Sequence, residues 1–284
     1  MADFPEYMPA LVTPFSARGE IDLKAHTHNV RFLADQGIEG FLFGGSTGEG
    51  QYLEAGERAR LVKTARRRKT HIVSGIAAET TRQGLAQVAE AIDAGADSLL
   101  VLTPTALARG RHDAVASYFQ ALADRSTIPV LLYSVPVYTG YSLPIEVIAK
   151  LARHHNIIGM KDSSGDVVRL QSIGDATPAS FILFNGSSRA LSAAIAVGCY
   201  GAITASGNYA SDLVVRTLKA AHQSSSAARR LQKRLSSLSA DVEAHGVPGV
   251  KAAAKAAGLQ PGHPRLPLSR LPRGTETSIA KLIS

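Results

Sequence analysis

Residues 156–166 read NIIGMKDSSGD. Ile157, Ile158 and Met160 are apolar and lie between turn-prone residues, so the stretch predicts a buried strand. That strand finishes on Lys161 and opens into the polar loop DSSGD. The same unit, an apolar run of strand length followed by a turn, recurs along the chain. It is seen at 10–15 (ALVTPF), 40–45 (GFLFGG), 71–76 (HIVSGI) and 98–104 (SLLVLTP). The series continues at 129–136 (PVLLYSVP), 157–163 (IIGMKDS), 181–186 (FILFNG) and 199–205 (CYGAITA). Helical periodicity lies between these runs, at 54–68, 80–94, 112–125, 143–153 and 189–197.

Strands that alternate with helices imply a parallel sheet, and near-continuous apolar strands imply burial on both faces. About eight such units predict a closed (β/α)8 TIM barrel. A doubly wound open sheet is the alternative. It normally carries G-x-G-x-x-G after its first strand, and TPFSARGEID at 13–22 has no such pattern.

A further helix is expected at about 211–223. The segments 227–245 and 247–259 then read as appended helices, separated at Gly246 and Pro248. A Pro-rich tail at 259–272 precedes a last short helix at about 275–283. The expected organisation is a barrel over 1–223 and a C-terminal helical extension over 224–284 packed on it. SSSAARR at 224–230 is the nearest candidate for an interdomain linker, and a helix boundary explains it as well.

Composition narrows the function. No run of about 18 apolar residues is present, so no membrane helix is expected. The N-terminus lacks a basic region before an apolar stretch, so no signal peptide is expected. A single cysteine, Cys199, forms no internal disulfide and fits a reducing cytoplasm. The net charge is +8, but the basic residues are scattered and aromatics are few. The densest cluster, ARRRK at 65–69, reads as a helix end. Nucleic acid is therefore not the expected partner; a basic surface that draws in small anions is.

In a (β/α)8 barrel the chemistry sits at the C-terminal ends of the strands. The predicted strands place Thr13, Ser46, Thr47, Thr103, Tyr133, Lys161, Asn185, Gly186, Ile203 and Thr204 there. A lysine at a strand end can sit in water or pair with Asp162. Partly desolvated at a barrel mouth, however, its ammonium is disfavoured. A neutral amine attacks a ketone to form a Schiff base, an electron sink for making or breaking a C–C bond. Tyr133, at the end of the neighbouring strand, is placed to shuttle protons or to serve as a core aromatic. The Gly-rich turn GGSTGE at 44–49 can cradle a carboxylate or phosphate, or can be an ordinary connection. NGSS at 185–188 reads the same two ways. None of the nine histidines ends a predicted strand, so neither a metal nor any other cofactor is expected.

GGSTGE, YSVPVYTG at 133–140 and GMKDSSGD at 159–166, in this order, resemble the dihydrodipicolinate synthase / N-acetylneuraminate lyase family. The resemblance extends over essentially the whole chain. It implies a barrel with C-terminal helices, a homotetramer, and class I chemistry on pyruvate or on 2-oxo acids that yield it. It implies that Lys161 forms the Schiff base and that Tyr133 relays protons. Ser46 and Thr47 would bind the pyruvate carboxylate, with Thr47 also linked to Tyr133, while Gly186 and Ile203 line the pocket.

Two positions depart from the family pattern. Tyr138 stands where the synthases carry an arginine for the second substrate, which points away from lysine biosynthesis. Ala106 and Leu107 stand where a tyrosine normally crosses between subunits. Within the family the likeness is greatest to the 4-hydroxy-2-oxoglutarate aldolases, through YSVP, the extended GMKDSSGDVVR, RGR at 109–111 and GVPGVK at 246–251. There Ser163 would touch substrate, and Arg109 or Arg111 would either meet a distal carboxylate or remain a solvated loop charge. The expected activity is cleavage of a small 4-hydroxy-2-oxo acid to pyruvate and an aldehyde. A dehydratase or condensing synthase using the same imine comes second, and a non-catalytic barrel that binds 2-oxo acids third.

Overall fold

The computed structural model of the protein describes residues 4–66, 70–224 and 226–283. Its eight strands are β1 (Tyr7–Pro9), β2 (Gly40–Phe43), β3 (His71–Ile76), β4 (Ser98–Leu102), β5 (Val130–Ser134), β6 (Ile157–Asp162), β7 (Ile182–Asn185) and β8 (Gly201–Thr204). All pair in parallel, in the order β1-β8-β7-β6-β5-β4-β3-β2. A parallel bridge between Ala10 and Leu42 brings the two ends of this order together. There the Leu11 N–H donates to the Leu42 carbonyl at 3.0 Å. The result is the (β/α)8 TIM barrel that the alternating pattern predicts.

The period of two along each strand divides the core. Met8, Leu42, Val73, Leu100, Leu131, Phe184 and Ile203 pack together inside the barrel. Their neighbours Tyr7, Phe41, Val101, Leu132, Met160 and Ala202 face outward against the helices. Those helices are α1 (Leu23–Ala34), α2 (Glu57–Ala65), α3 (Thr81–Asp93), α4 (His112–Arg125), α5 (Pro136–Thr139) and α6 (Ile145–Leu151). They continue with α7 (Val167–Ala176), α8 (Leu191–Ala196) and α9 (Ser211–His222). Beyond the barrel come α10 (Ser226–Glu243), α11 (Gly246–Ala256) and α12 (Arg273–Ile283).

The first strand differs from its sequence reading. β1 is Tyr7–Pro9, and the run ALVTPF at 10–15 follows it. That run is apolar because it is a buried connection. Val12 packs against Val242, Val250 and Ile279 of the C-terminal helices, and Phe15 against Ile21 and Leu61. Thr13 is therefore not a strand end. Periodicity also did not bring out α1 and α7. The buried face of α1 includes His26 and Asn29, and α7 buries only Leu170 and Ile173. Pro248 does not divide two helices; it lies in the first turn of α11, where its missing N–H costs nothing. The cluster 65–69 begins at the end of α2, and its residues 67–69 lie outside the described residues.

Candidate active site

Alternation along β6 decides where its polar end goes. Met160 faces the helices, so Lys161 faces the barrel interior and Asp162 faces out again. Lys161 is 4% exposed. Tyr133 pairs with it in register on β5, on the same face, and the Lys161 Nζ sits 4.6 Å from the Tyr133 ring centroid. Asp162, fully buried, accepts from Arg169 Nε at 3.0 Å and from the Ser164 N–H at 2.9 Å. The ion pair between Lys161 and Asp162, open from sequence alone, does not form. Among the described residues Lys161 has no ion-pair partner.

The loop DSSGD is wired almost completely. The Asp166 N–H donates to Ser164 Oγ at 3.1 Å, and Asp166 caps α7 by accepting from the Arg169 N–H at 3.0 Å. Ser163 is the exception. Its hydroxyl is buried and has no hydrogen-bond partner among the described residues. A Cβ built on Gly186 would lie 1.9 Å from Ser163 Oγ and 2.8 Å from Lys161 Cε. Ser163, Gly186 and Lys161 thus meet at one point, and a larger residue at 186 would displace the two side chains. Ile203 is fully buried in the interior cluster beside Phe184 and Tyr133.

The turn after β2 brings the hydroxyls. Ser46 Oγ lies 3.3 Å from the Tyr133 hydroxyl. Thr47, expected to make that link, makes no side-chain hydrogen bond among the described residues; Ser46 takes its place. The Ser46 and Thr47 N–H groups have no protein acceptor among the described residues, so the turn presents donors. Its far side is braced. Thr13 Oγ1 donates to the Gly48 carbonyl at 2.6 Å. Glu49 adopts a left-handed φ of 55° and pairs with Lys251 Nζ at 2.6 Å. Lys251 also donates to the Thr13 carbonyl at 2.8 Å and the His263 carbonyl at 2.6 Å. Burial lowers the pKa of this lysine to about 8, against the opposing pull of Glu49. GVPGVK thus belongs to a brace between α11 and the turn.

NGSS does not offer an anion cradle. Asn185 closes the turn on itself, donating to the Ser187 carbonyl at 2.8 Å and accepting from its N–H at 3.1 Å. Ser188 donates to Glu243, the last residue of α10, at 2.9 Å. Tyr209 donates to the same carboxylate oxygen at 2.9 Å. Burial raises the Glu243 pKa, with the two hydrogen bonds and the Lys161 and Arg189 charges opposing. No motif marked Glu243 in the sequence, because its partners Ser188 and Tyr209 are 55 and 34 residues away along the chain.

The rim comes from the loops after β4 and β5. Tyr138 is 60% exposed, and Tyr133 and Glu243 lie within electrostatic reach of its phenol. Ala106 and Leu107 carry no relay hydroxyl; Leu107 is 91% exposed. Arg109 Nη1 lies 2.9 Å from the point where a Gly140 Cβ would stand, so this guanidinium rests on the loop that carries Tyr138. Among the described residues no three His, Cys, Asp or Glu side chains are grouped to hold a metal ion. Two surface clefts, of about 670 and 760 Å³, lie along the C-terminal helices, and neither is lined by Lys161, Tyr133 or Ser46.

The chain belongs to the Dihydrodipicolinate synthetase family, which it matches over residues 3–284. It is 30% identical over 282 residues to a 4-hydroxy-tetrahydrodipicolinate synthase of Methanosarcina mazei, covering 98% of this chain and 96% of the relative. Its fold is similar to the crystal structure of a dihydrodipicolinate synthase from Bacillus anthracis. There the TM-score is 0.94 at 25% identity, over 100% of this chain and 98% of the other. It is also similar to an Escherichia coli prophage protein of the dihydrodipicolinic acid synthase family, solved in complex with pyruvate. That match has a TM-score of 0.92 at 28% identity, over 99% of this chain and 98% of the other.

Proposed function

We propose that this protein is a class I carbon–carbon lyase or synthase that works through a pyruvate Schiff base on Lys161. The observation that carries this reading is the buried lysine at the end of β6, without an acidic partner among the described residues and beside Tyr133. The Lys161 amine adds to the C2 ketone of pyruvate, and water leaves to form the imine. The imine draws electrons from C3, which loses a proton to give an enamine. The enamine carbon attacks an aldehyde, and the new alkoxide takes a proton. Tyr133, hydrogen-bonded to Ser46, supplies that proton; in cleavage the same groups run in reverse. Hydrolysis of the imine frees Lys161. The N–H donors at Ser46 and Thr47 suit the pyruvate carboxylate. The unpartnered Ser163 hydroxyl suits a substrate oxygen, and Gly186 and Ile203 bound the pocket.

The sequence reading put cleavage of a 4-hydroxy-2-oxoglutarate-like acid first and condensation second. The relatives reverse that order, since the Methanosarcina mazei and Bacillus anthracis proteins are synthases. We therefore favour condensation of pyruvate with an aldehyde. Arg109, resting on Gly140, returns a cation to the rim although Tyr138 replaces the arginine. The reaction is proposed to need no metal. The exposed Leu107 and Val137 beside the mouth support a homotetramer in which a second copy covers them. Among the described residues no helix is long and apolar enough to cross a membrane. A cytoplasmic location and the absence of a nucleic-acid partner remain part of this proposal.

Borohydride reduction in the presence of pyruvate tests the reading. Mass spectrometry should find one adduct, on Lys161, that is lost in Lys161→Ala. An unlabelled wild-type protein overturns the mechanism. A parallel assay of condensation with aldehydes and of pyruvate release from 4-hydroxy-2-oxo acids, with and without chelator, ranks the two directions and tests the metal independence.

A further inference from the structure

We propose that Glu243 is a specificity-determining residue for the second reactant, its carboxylate accepting a hydrogen bond from a hydroxyl or ammonium on the aldehyde that meets the pyruvate enamine. This inference rests on the Schiff-base reading. It starts from the placement of Glu243. The residue ends α10, and its Oε1 accepts both from Ser188, two residues beyond Gly186, and from Tyr209, in the connection after β8. The carboxylate is therefore held at the C-terminal ends of β7 and β8, the face on which Lys161 opens.

Its second oxygen, Oε2, makes no hydrogen bond among the described residues. The ammonium of Lys161 and the phenol of Tyr138 both lie within electrostatic reach of the carboxylate. Tyr138 in turn lies within reach of Tyr133. The mouth over the lysine is thus flanked by a carboxylate and a phenol, and the Arg109 guanidinium rests against Gly140 on the loop that carries Tyr138. A carboxylate with one committed and one open oxygen is a hydrogen-bond acceptor. Desolvation makes the half-buried site unfavourable for an anion and for a reactant that leaves the carboxylate unpaired. An aldehyde that brings a donor relieves this cost, and one that brings only carbon does not. A purely structural role would use Oε1 alone, through Ser188 and Tyr209.

Two matched pairs of aldehydes separate these roles. The first is 2-amino-4-oxobutanoate against 4-oxobutanoate, which differ by an ammonium. The second is glyceraldehyde against propanal, which differ by hydroxyls. In Glu243→Ala the kcat/KM advantage of the donor-bearing member should fall about tenfold or more in at least one pair. In Glu243→Gln, which keeps an acceptor for Ser188 and Tyr209, the advantage of the ammonium should fall about tenfold while that of the hydroxyls falls less than about threefold. Borohydride trapping of pyruvate on Lys161 in each variant reports that the pocket is still folded. Equal losses for both members of each pair, or ratios unchanged in both pairs in a Glu243→Ala protein that still traps pyruvate, or an unchanged ammonium ratio in a Glu243→Gln protein that still traps it, overturn the role of Glu243. A wild-type protein that does not trap pyruvate overturns the Schiff-base reading, and this inference with it.

Discussion

Lys161 and Asp162 are neighbours in the chain and stand on opposite faces of β6. Lys161 points into the barrel beside Tyr133, and Asp162 points out to Arg169 at 3.0 Å. The alternation of a strand separates a cation from the adjacent anion, so the lysine keeps its amine for chemistry and the carboxylate serves the fold.

Removing Arg169 should therefore harm stability. The Arg169 guanidinium also donates to the Leu143 carbonyl at 2.6 Å, tying the connection after β5 to α7. Arg169→Ala leaves Asp162 fully buried without its counter-cation and with only the Ser164 N–H as donor among the described residues, which costs about 3–5 kcal/mol. Denaturant unfolding should show that loss. A change below about 1 kcal/mol would mean that Asp162 finds water or another donor.

Tyr133 should act on the rate rather than on imine formation. Tyr133→Phe removes the hydroxyl that meets Ser46 and keeps the ring beside Lys161. In the proposed reaction kcat should fall by about 10²- to 10⁴-fold. Pyruvate should still be trapped by borohydride. An intact kcat would assign the proton transfer elsewhere.

Gly186 has no room for a methyl group. In Gly186→Ala the added Cβ meets Ser163 Oγ at 1.9 Å and Lys161 Cε at 2.8 Å, so both side chains must move. Overpacking of this kind costs about 1–3 kcal/mol of stability, and a displaced Lys161 should slow trapping. Trapping at the wild-type rate would show that Lys161 reaches pyruvate from another position.

His26 should make the fold sensitive to acid. Its ring is buried, and Nε2 donates to the Leu61 carbonyl at 3.1 Å. Desolvation lowers its pKa from 6.5 to about 4, with the Leu61 carbonyl opposing. Between these values the unfolded chain binds more protons than the folded one. The stabilisation is thus complete above pH 6.5 and is lost as the pH falls toward 4, by up to about 3 kcal/mol. His26→Gln should flatten the pH dependence of the melting temperature across that window. Parallel curves for the two proteins would count against the assignment.

The apolar runs and the helical repeats between them determined the barrel, because burial on both faces of a parallel strand leaves few other arrangements for eight such units. Lys161, Tyr133 and the GGSTGE turn were legible for the same reason: strand ends can be located from pattern, and chemistry gathers at one end of a barrel. What the pattern misassigned was a buried connection. Only Ala10 and Leu11 at its start touch the sheet, where they close the barrel on Leu42; Val12 and Phe15 are apolar because the C-terminal helices and Leu61 of α2 cover them. Only the tertiary structure decided that Ser46 rather than Thr47 meets Tyr133, and that Arg109 rests against Gly140. It alone carried Glu243 to Ser188, and Lys251 to Glu49. These contacts join residues from about 30 to 200 positions apart, and their geometry depends on how helices dock rather than on any spacing along the chain.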